Sequence, residues 1–336
     1  MRDMKDWWIF KGEGDPHRHI ERLPKPMASR DFGGLPLIEP SFDEDRASVG
    51  RLGRPEADQR LLLSEEDLDL INAAILWRRP LLVTGKPGSG KSSLAYAIAR
   101  ELSLGPVLHW PVTSRTTLKE GLYGYDALAR LEETNLRRIM GEDTAPDLGE
   151  YIRLGPLGTA LLPQKFPRVL LIDELDKSDL DLPNDLLHVF EEGEFEIDEL
   201  ARQRTAAGSV EVGAVGRPTP VAVHNGRVRC NAFPIVVLTD NGERDFSAAF
   251  LRRCVRLRLA DPDHARLVSI VEAHLGPEGV RAGAPLIEDF LAKRRAGTVA
   301  TDQLLGAVYL VVAAGLGGTD RTELADRIMS PLDQAG

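Results

Sequence analysis

The chain has 336 residues, 43% of them hydrophobic and 28% charged, a balance that suits about two domains with a sizeable core and excludes a disordered or fibrous class. Its formal net charge of −10 argues against broad electrostatic binding of nucleic acid or an anionic membrane and directs attention to protein partners. Cys230 and Cys254 are isolated from each other and from histidine pairs, which indicates neither a zinc site nor a disulfide framework and fits a reduced cytoplasm. No apolar run reaches membrane-spanning length, and the charged N-terminus does not read as a signal peptide.

Residues 1–58 contain six prolines and six glycines among mixed charges without a sustained period, so this stretch predicts an irregular arm rather than a domain. Trp7 and Trp8 stand out in it. Adjacent tryptophans in a polar arm serve either as an anchor for a partner or as a plug in the chain's own core, and the sequence leaves both open. Helical structure is expected from Ser64, whose spacing to Asp67 makes a capping box, with Leu68, Ile71 and Ile75 as its buried stripe.

From residue 81 short apolar runs alternate with helical periods, the pattern of an α/β domain with a largely parallel sheet. Strands are predicted at 81–84, 107–113, 169–172, 234–239 and 255–259. Directly after the first stands GKPGSGKS, residues 85–92. In this spacing Gly85, Gly88 and Gly90 let backbone N–H groups turn inward around phosphates, with Lys86, Pro87 and Ser89 between them. Lys91 then reaches the β and γ oxygens, Ser92 offers its hydroxyl to Mg²⁺, and Ser93 follows in the same cradle. Leu94, Ile98 and Leu102 recur at helical spacing, so a helix points its positive N-terminal end at the bound anion.

The run Val169, Leu170, Leu171, Ile172 ends in Asp173 and Glu174. A parallel sheet delivers such residues to the edge where the phosphate loop lies, so Asp173 is expected to hold Mg²⁺ through water and Glu174 to act as the base or orienting group for the attacking water. Residues 182–192 predict a helix with Pro183 in its first turn and Leu186, Leu187, Val189 and Phe190 toward the core. Two segments exceed a minimal sheet: 114–165 is long for a crossover, and 194–233 predicts an inserted β-hairpin. After residue 260 the strands stop. Asp261 and Pro262 start a helix, Gly276 stops it, and Thr301 begins another carrying Leu304, Leu305, Val308, Tyr309 and Val312.

The fourth strand ends in Asp240 and Asn241, with Phe250, Leu251, Arg252 and Arg253 close behind. In order, GKPGSGKS, VLLIDE, VVLTDN and FLRR resemble the AAA+ superfamily. The stretch IRLGPLGTALLPQ before the acidic strand, LIDELDKSDLDLPNDLLHVFEEGEFEI after it and the two insertions resemble its MoxR branch, over about residues 60–330. The resemblance implies a P-loop NTPase fold: a three-layer α/β/α core with a five-stranded sheet at 59–260, interrupted at about 114–165 and 194–233, and a small helical lid at 261–336. It also implies that Asn241 is the polar sensor that positions the water, and that Arg253, with Arg252 beside it, is the arginine finger acting on nucleotide in a neighbouring subunit. Such a finger contributes on the order of 10³ to 10⁵ in rate, so the resemblance implies a homo-oligomeric ring, taken as a hexamer. Many relatives carry an arginine at the start of the penultimate lid helix, whereas Ala300, Thr301, Asp302 and Gln303 stand there, leaving Lys293, Arg294 or Arg295 as substitutes. Thr113, Ser114 and Arg115 read either as a restraint on Glu174 or as a turn, and Gly121, Tyr123, Gly124 and Tyr125 as a loop shaped toward a ring pore.

The expected function is a MoxR-like ATPase that uses ATP and Mg²⁺ in a ring to remodel or activate a partner protein, of the kind carrying a von Willebrand factor A domain. A ring-type nucleic-acid motor is the opposing class; Glu191, Glu192, Glu194, Glu196, Asp198 and Glu199 crowd the insert that holds Arg227 and Arg229 and argue against it. A nucleotide-gated signalling scaffold with little turnover is the third, disfavoured by the complete set Asp173, Glu174, Asn241 and Arg253. No N-K-x-D guanine-reading motif occurs.

Overall fold

The computed structural model describes residues 5–45, 47–54, 61–142, 144–202, 208–296, 299–314 and 318–329. Five strands form the central sheet: β1 (Leu81–Thr84), β2 (Leu108–Pro111), β3 (Val169–Asp173), β4 (Ile235–Asp240) and β5 (Val255–Arg258). They lie in the order β5-β1-β4-β3-β2, every neighbouring pair parallel. Because side chains alternate across a strand, Leu82, Leu170, Ile172, Val236 and Leu238 enter one core, and Leu81, Val83, Val169, Leu171, Ile235 and Val237 the other. A sheet buried on both faces explains why these strands read as continuous apolar runs. The second of those cores takes the helices Glu65–Trp77 and Lys91–Glu101; the first takes Leu182–Glu192.

The capping box at Ser64 forms as its sequence demands, with the Ser64 hydroxyl accepting from the Asp67 N–H and the Asp67 carboxylate from the Ser64 N–H. Gly276 breaks the long helical stretch His264–Ala296 by adopting φ 73°, the left-handed conformation that glycine takes at no steric cost. That stretch packs with Thr301–Ala313 and Gly318–Ile328 around its own apolar cluster of Leu267, Val271, Phe290, Leu304 and Val308. Among the described residues no helix is long and apolar enough to cross a membrane.

The two insertions do not stay separate. The hairpin predicted for 194–233 is four strands, Glu194–Glu196, Ser209–Ala214, Val221–His224 and Arg227–Arg229, and it joins Tyr123–Tyr125 and Ile152–Leu154 from the first insertion in one six-stranded mixed sheet. Arg153 and Leu154 pair in parallel with Gly213 and Ala214 across some sixty residues of sequence. Asn225 and Gly226, both left-handed, make the two-residue turn between Val221–His224 and Arg227–Arg229. Within the segment read as a pore loop, Tyr123–Tyr125 is a strand, and Tyr123 is buried and stacks on Phe195 with ring centroids 6.4 Å apart.

The N-terminal arm is irregular but closely docked. Trp8 is 1% exposed and donates from its indole N–H to Asp69, while Trp7 remains 43% exposed, so only the second tryptophan plugs the core. Asn72, fully buried, accepts from the N–H groups of Ile9 and Phe10 and donates to the Phe10 carbonyl, acting as a side-chain substitute for a strand partner. Glu101, also fully buried, accepts from the N–H groups of Lys11, Gly12 and Gly14. Further along, Gly34 passes so close to the second insertion that an added Cβ would sit 2.0 Å from the Arg229 carbonyl. Replacing Asn72 by alanine strips two arm N–H groups of their acceptor, so urea unfolding is expected to show a loss of about 2–4 kcal/mol. An unchanged midpoint would mean that apolar contacts alone hold the arm.

Candidate nucleotide site

The parallel order brings the carboxyl ends of β1, β3, β4 and β2 to one edge, and the loop 85–90 rises from the end of β1 into the helix Lys91–Glu101. Gly88 and Gly90 have φ of 74° and 86°, the left-handed turns that curl the loop. A Cβ at Gly88 would meet the Thr301 N–H at 2.5 Å, so the loop is also pressed against the lid. Lys91 is 8% exposed and donates to the carbonyls of Gly85 and Lys86 at 2.7 and 3.1 Å. Burial lowers its pKa, and the carboxylates of Asp176, Asp173, Asp240 and Glu174 pull against that shift. Its ammonium thus rests on carbonyls that incoming phosphate oxygens would replace.

Ser92 donates to Asp173 Oδ1 at 2.7 Å, joining the two residues expected to hold a metal ion. Thr239 donates to the same oxygen at 2.6 Å, and His109 Nε2 lies 3.3 Å from Oδ2. Burial pushes the Asp173 carboxyl up, but the hydrogen bonds from His109, Thr239 and Ser92 outweigh it and hold the pKa down at about 2. A carboxyl lowered on folding stabilises the protein above its unfolded value of 3.8, and that contribution disappears as the pH falls toward 2. Asp173→Asn is therefore expected to flatten the acid limb of a stability–pH curve between about pH 4 and 2; an unaltered limb would show that Asp173 titrates normally.

Glu174 sits in the left-handed region at φ 61°, an uncommon conformation for a non-glycine residue and one that turns its side chain off the strand line. Its N–H donates to the Thr239 hydroxyl at 2.8 Å, and its carboxylate pairs with Lys177 at 2.8 Å. Thr239 thereby bridges both acidic residues, a part the sequence did not reveal because a threonine ending an apolar strand carries no motif. Thr113, Ser114 and Arg115 form a turn closed by Thr116, and among the described residues none of them hydrogen-bonds to Glu174. Asn241 faces the same cavity as Glu174, its N–H held by Asp176 at 2.9 Å. Burial and the neighbouring Asp176 push the Asp240 carboxyl above the usual aspartate range.

These groups line a cavity of about 840 Å³. Its phosphate end carries Pro87, Gly88, Gly90, Lys91, Ser92, Ser93, Asp173 and Glu174, while the other end lies between Arg51, Leu52 and Leu62 of the N-terminal segment and Ile270, Ala273 and His274 of the lid. Of the remaining loop residues, Gly85 and Lys86 turn their carbonyls to Lys91, and Ser89 is buried behind the loop. Ser93 tethers the N-terminal segment through the Arg51 carbonyl, and the Arg54 N–H donates to Ala273. Among the described residues no cluster of three or more histidine, cysteine or acidic side chains could hold a metal unaided. The ionised Asp173 beside Ser92 suits an ion that brings phosphate oxygens with it.

Arg253 does not line this cavity. Its Nε donates to Glu191 at 3.2 Å, and the same carboxylate oxygen receives Arg30 at 3.1 Å and Arg79 at 2.9 Å. Arg252 is exposed. On the lid, Thr301 donates to the Gly88 carbonyl at 2.7 Å. Lys293 is paired with Asp326, and Arg294 with Asp261, which also pairs with Lys86; the Arg295 side chain lies outside the described residues. Neither Lys293 nor Arg294 lines the cavity, but Arg266 does, a residue that sequence reasoning missed because it lies in the first lid helix and not at the start of the later one, where an arginine was sought. The thiols of Cys230 and Cys254 are unpaired with each other, and burial pushes both up to about 12, so neither is a nucleophile here.

Residues 80–254, just over half of the chain, match the family model described as AAA domain (dynein-related subfamily). No curated protein matches the chain. Among solved structures, a point mutant of RuvB from Thermotoga maritima is 16% identical, covering 82% of this chain and 73% of that one, with a TM-score of 0.42. NtrX from Brucella abortus in complex with ATP is 14% identical over 80% of this chain and 55% of its own, with a TM-score of 0.38; its complex with ADP is 15% identical over 77% and 52%, with a TM-score of 0.35. The chain therefore spans about half the length of the NtrX chains.

Proposed function

This chain belongs to the AAA domain family, dynein-related subfamily, and from that membership we propose that it is an ATPase of the MoxR type, working as a ring that remodels or activates a partner protein. The observation that carries the proposal is the single cavity in which Lys91, the joined pair Ser92 and Asp173, and Glu174 all meet between core and lid. ATP would lie with its phosphates on the loop 85–92 and its base between Leu52, Leu62 and Ile270. Ser92 and Asp173 would hold Mg²⁺, which supplies charge neutralisation at the phosphate oxygens. Glu174 takes the proton of the attacking water, and Asn241, facing it across the cavity, orients that water.

Arg253 is the proposed finger for the neighbouring subunit's nucleotide. Its position outside its own cavity supports that reading, as does its hold on Glu191, an exchangeable ion pair at a half-exposed site. A protein client is favoured over nucleic acid because the two arginines of the Arg227–Arg229 strand are already neutralised: Arg227 pairs with Glu194 and Glu196, and Arg229 with Glu194. A partner bearing a von Willebrand factor A domain is the proposed class of client.

The test is steady-state ATP hydrolysis against protein concentration, with light scattering alongside and single-stranded DNA in one arm. Specific activity is expected to rise with assembly and to ignore DNA; stimulation by DNA would favour the nucleic-acid motor. Arg253→Ala is expected to lower turnover by on the order of 10³-fold at saturating ATP. Mixing it with Lys91→Ala subunits should restore part of the activity, and no rescue despite co-assembly would remove the finger assignment.

A further inference from the structure

We propose that Arg266, from the first lid helix, is a phosphate-binding residue that contacts the phosphates shared by ATP and ADP; this rests on the nucleotide reading above. The helix start sets its position. Asp263 caps the helix by accepting the Arg266 N–H at 2.8 Å, so residue 266 leaves the first turn on the side that faces the phosphate loop. Its Nη2 donates to the Ser89 carbonyl at 3.0 Å, and a Cβ added at Gly90 would stand 3.2 Å from the same nitrogen. The guanidinium therefore lies over the centre of the loop, at the wall of the cavity that also holds Lys91 and Ser92.

A guanidinium has five N–H donors in a rigid plane that matches two phosphate oxygens at once. Arg266 spends one of them on Ser89, and among the described residues it forms no ion pair and its guanidinium makes no other hydrogen bond. Burial lowers its pKa, with Asp67 and Asp263 only offsetting part of the cost of desolvation and Arg294 adding to it. A half-buried cation with no ion pair among the described residues, set at the wall of a cavity built for a polyanion, is matched by the anion itself.

Placement decides which phosphates. The loop backbone around Gly90 cradles the α and β phosphates, whereas Lys91 reaches on to β and γ. An arginine over Gly90 thus reads nucleotide occupancy rather than the γ-phosphate. The lid would close on ATP and remain closed on ADP, releasing only when the site empties.

Titration of the full chain with fluorescent ATP and ADP analogues in the presence of Mg²⁺ tests this. Arg266→Gln keeps an amide donor for the Ser89 carbonyl but removes the charge, and is expected to weaken both nucleotides by the same factor, roughly 10- to 100-fold. Arg266→Lys, which keeps the charge, should recover most of that loss. Wild-type affinity in Arg266→Gln would reduce the residue to a clasp on Ser89 and overturn the proposal; a loss confined to the ATP analogue would overturn the assignment to the shared phosphates. Lys91→Ala is titrated alongside. If the wild-type protein binds and Lys91→Ala does not, while the Arg266 variants bind normally, only the Arg266 assignment falls; if the wild-type protein binds neither analogue, the nucleotide reading falls and this one with it.

Discussion

Lys91→Ala is expected to abolish nucleotide binding, lowering ATP affinity by about 100-fold or more in an equilibrium titration. The magnitude follows from where the ammonium sits. It is almost buried, its donors rest on the carbonyls of Gly85 and Lys86, and the carboxylates of Asp173, Glu174, Asp176 and Asp240 stand around it. Without that cation, those carboxylates are left opposed to the phosphates from the floor of the pocket, and the repulsion adds to the lost contact. An unchanged circular-dichroism spectrum checks that the variant folds. Normal ATP affinity in a folded variant would remove the phosphate-loop assignment altogether.

Glu174→Gln is expected to bind ATP with near-normal affinity yet release phosphate about 10² to 10⁴ times more slowly. The two effects separate because Glu174 is not part of the loop that holds the phosphates; its backbone is fixed by Thr239, and its carboxylate reaches into the cavity from the end of β3. Its ion pair with Lys177 does not stand in the way. Both side chains are more than 40% exposed, and pairs of that kind hold by about 0–1 kcal/mol, too little to keep the carboxylate from an ordered water. Glutamine preserves the shape but cannot accept the proton, so turnover falls while binding stays. Turnover at the wild-type rate would mean that another group handles the water and that Glu174 serves only as the partner of Lys177.

Much of the core was legible in the residues. Strands β1, β3, β4 and β5 fall within a residue of their apolar runs, because a strand buried on both faces leaves an uninterrupted signature that polar loops bracket. The helix that starts at Ser64 was equally plain, since its cap is local chemistry between residues three apart, and the one that starts at Thr301 showed itself by its apolar period. For the same reason the loop at 85–92 and the acidic end of β3 announced themselves as separate motifs.

Of the insert sheet only a hairpin within 194–233 was legible, and the Glu194–Glu196 and Arg227–Arg229 strands do pair antiparallel. Tyr123–Tyr125, Ile152–Leu154, Glu194–Glu196 and Arg227–Arg229 are three residues each, too short to show a period, and the pairing of Ile152–Leu154 with Ser209–Ala214 depends on two insertions meeting across the fold. The arm's docking escaped for a similar reason: Asn72 and Glu101 look like an ordinary polar pair on two helices until the backbone of residues 9–14 arrives to bond them.

The sequence by itself determined the phosphate loop, the acidic strand end and the parallel α/β core, because each rests on contacts between near neighbours or on burial that a whole strand shares. Tertiary structure alone decided that Thr239 bridges Asp173 and Glu174, that Glu191 gathers Arg30, Arg79 and Arg253, and that the lid offers Arg266 rather than a later arginine to the loop. Those partners lie far apart in the chain and carry no spacing rule; only the closing of lid on core, with Asp263 fixing the helix start, brings one guanidinium over Gly90.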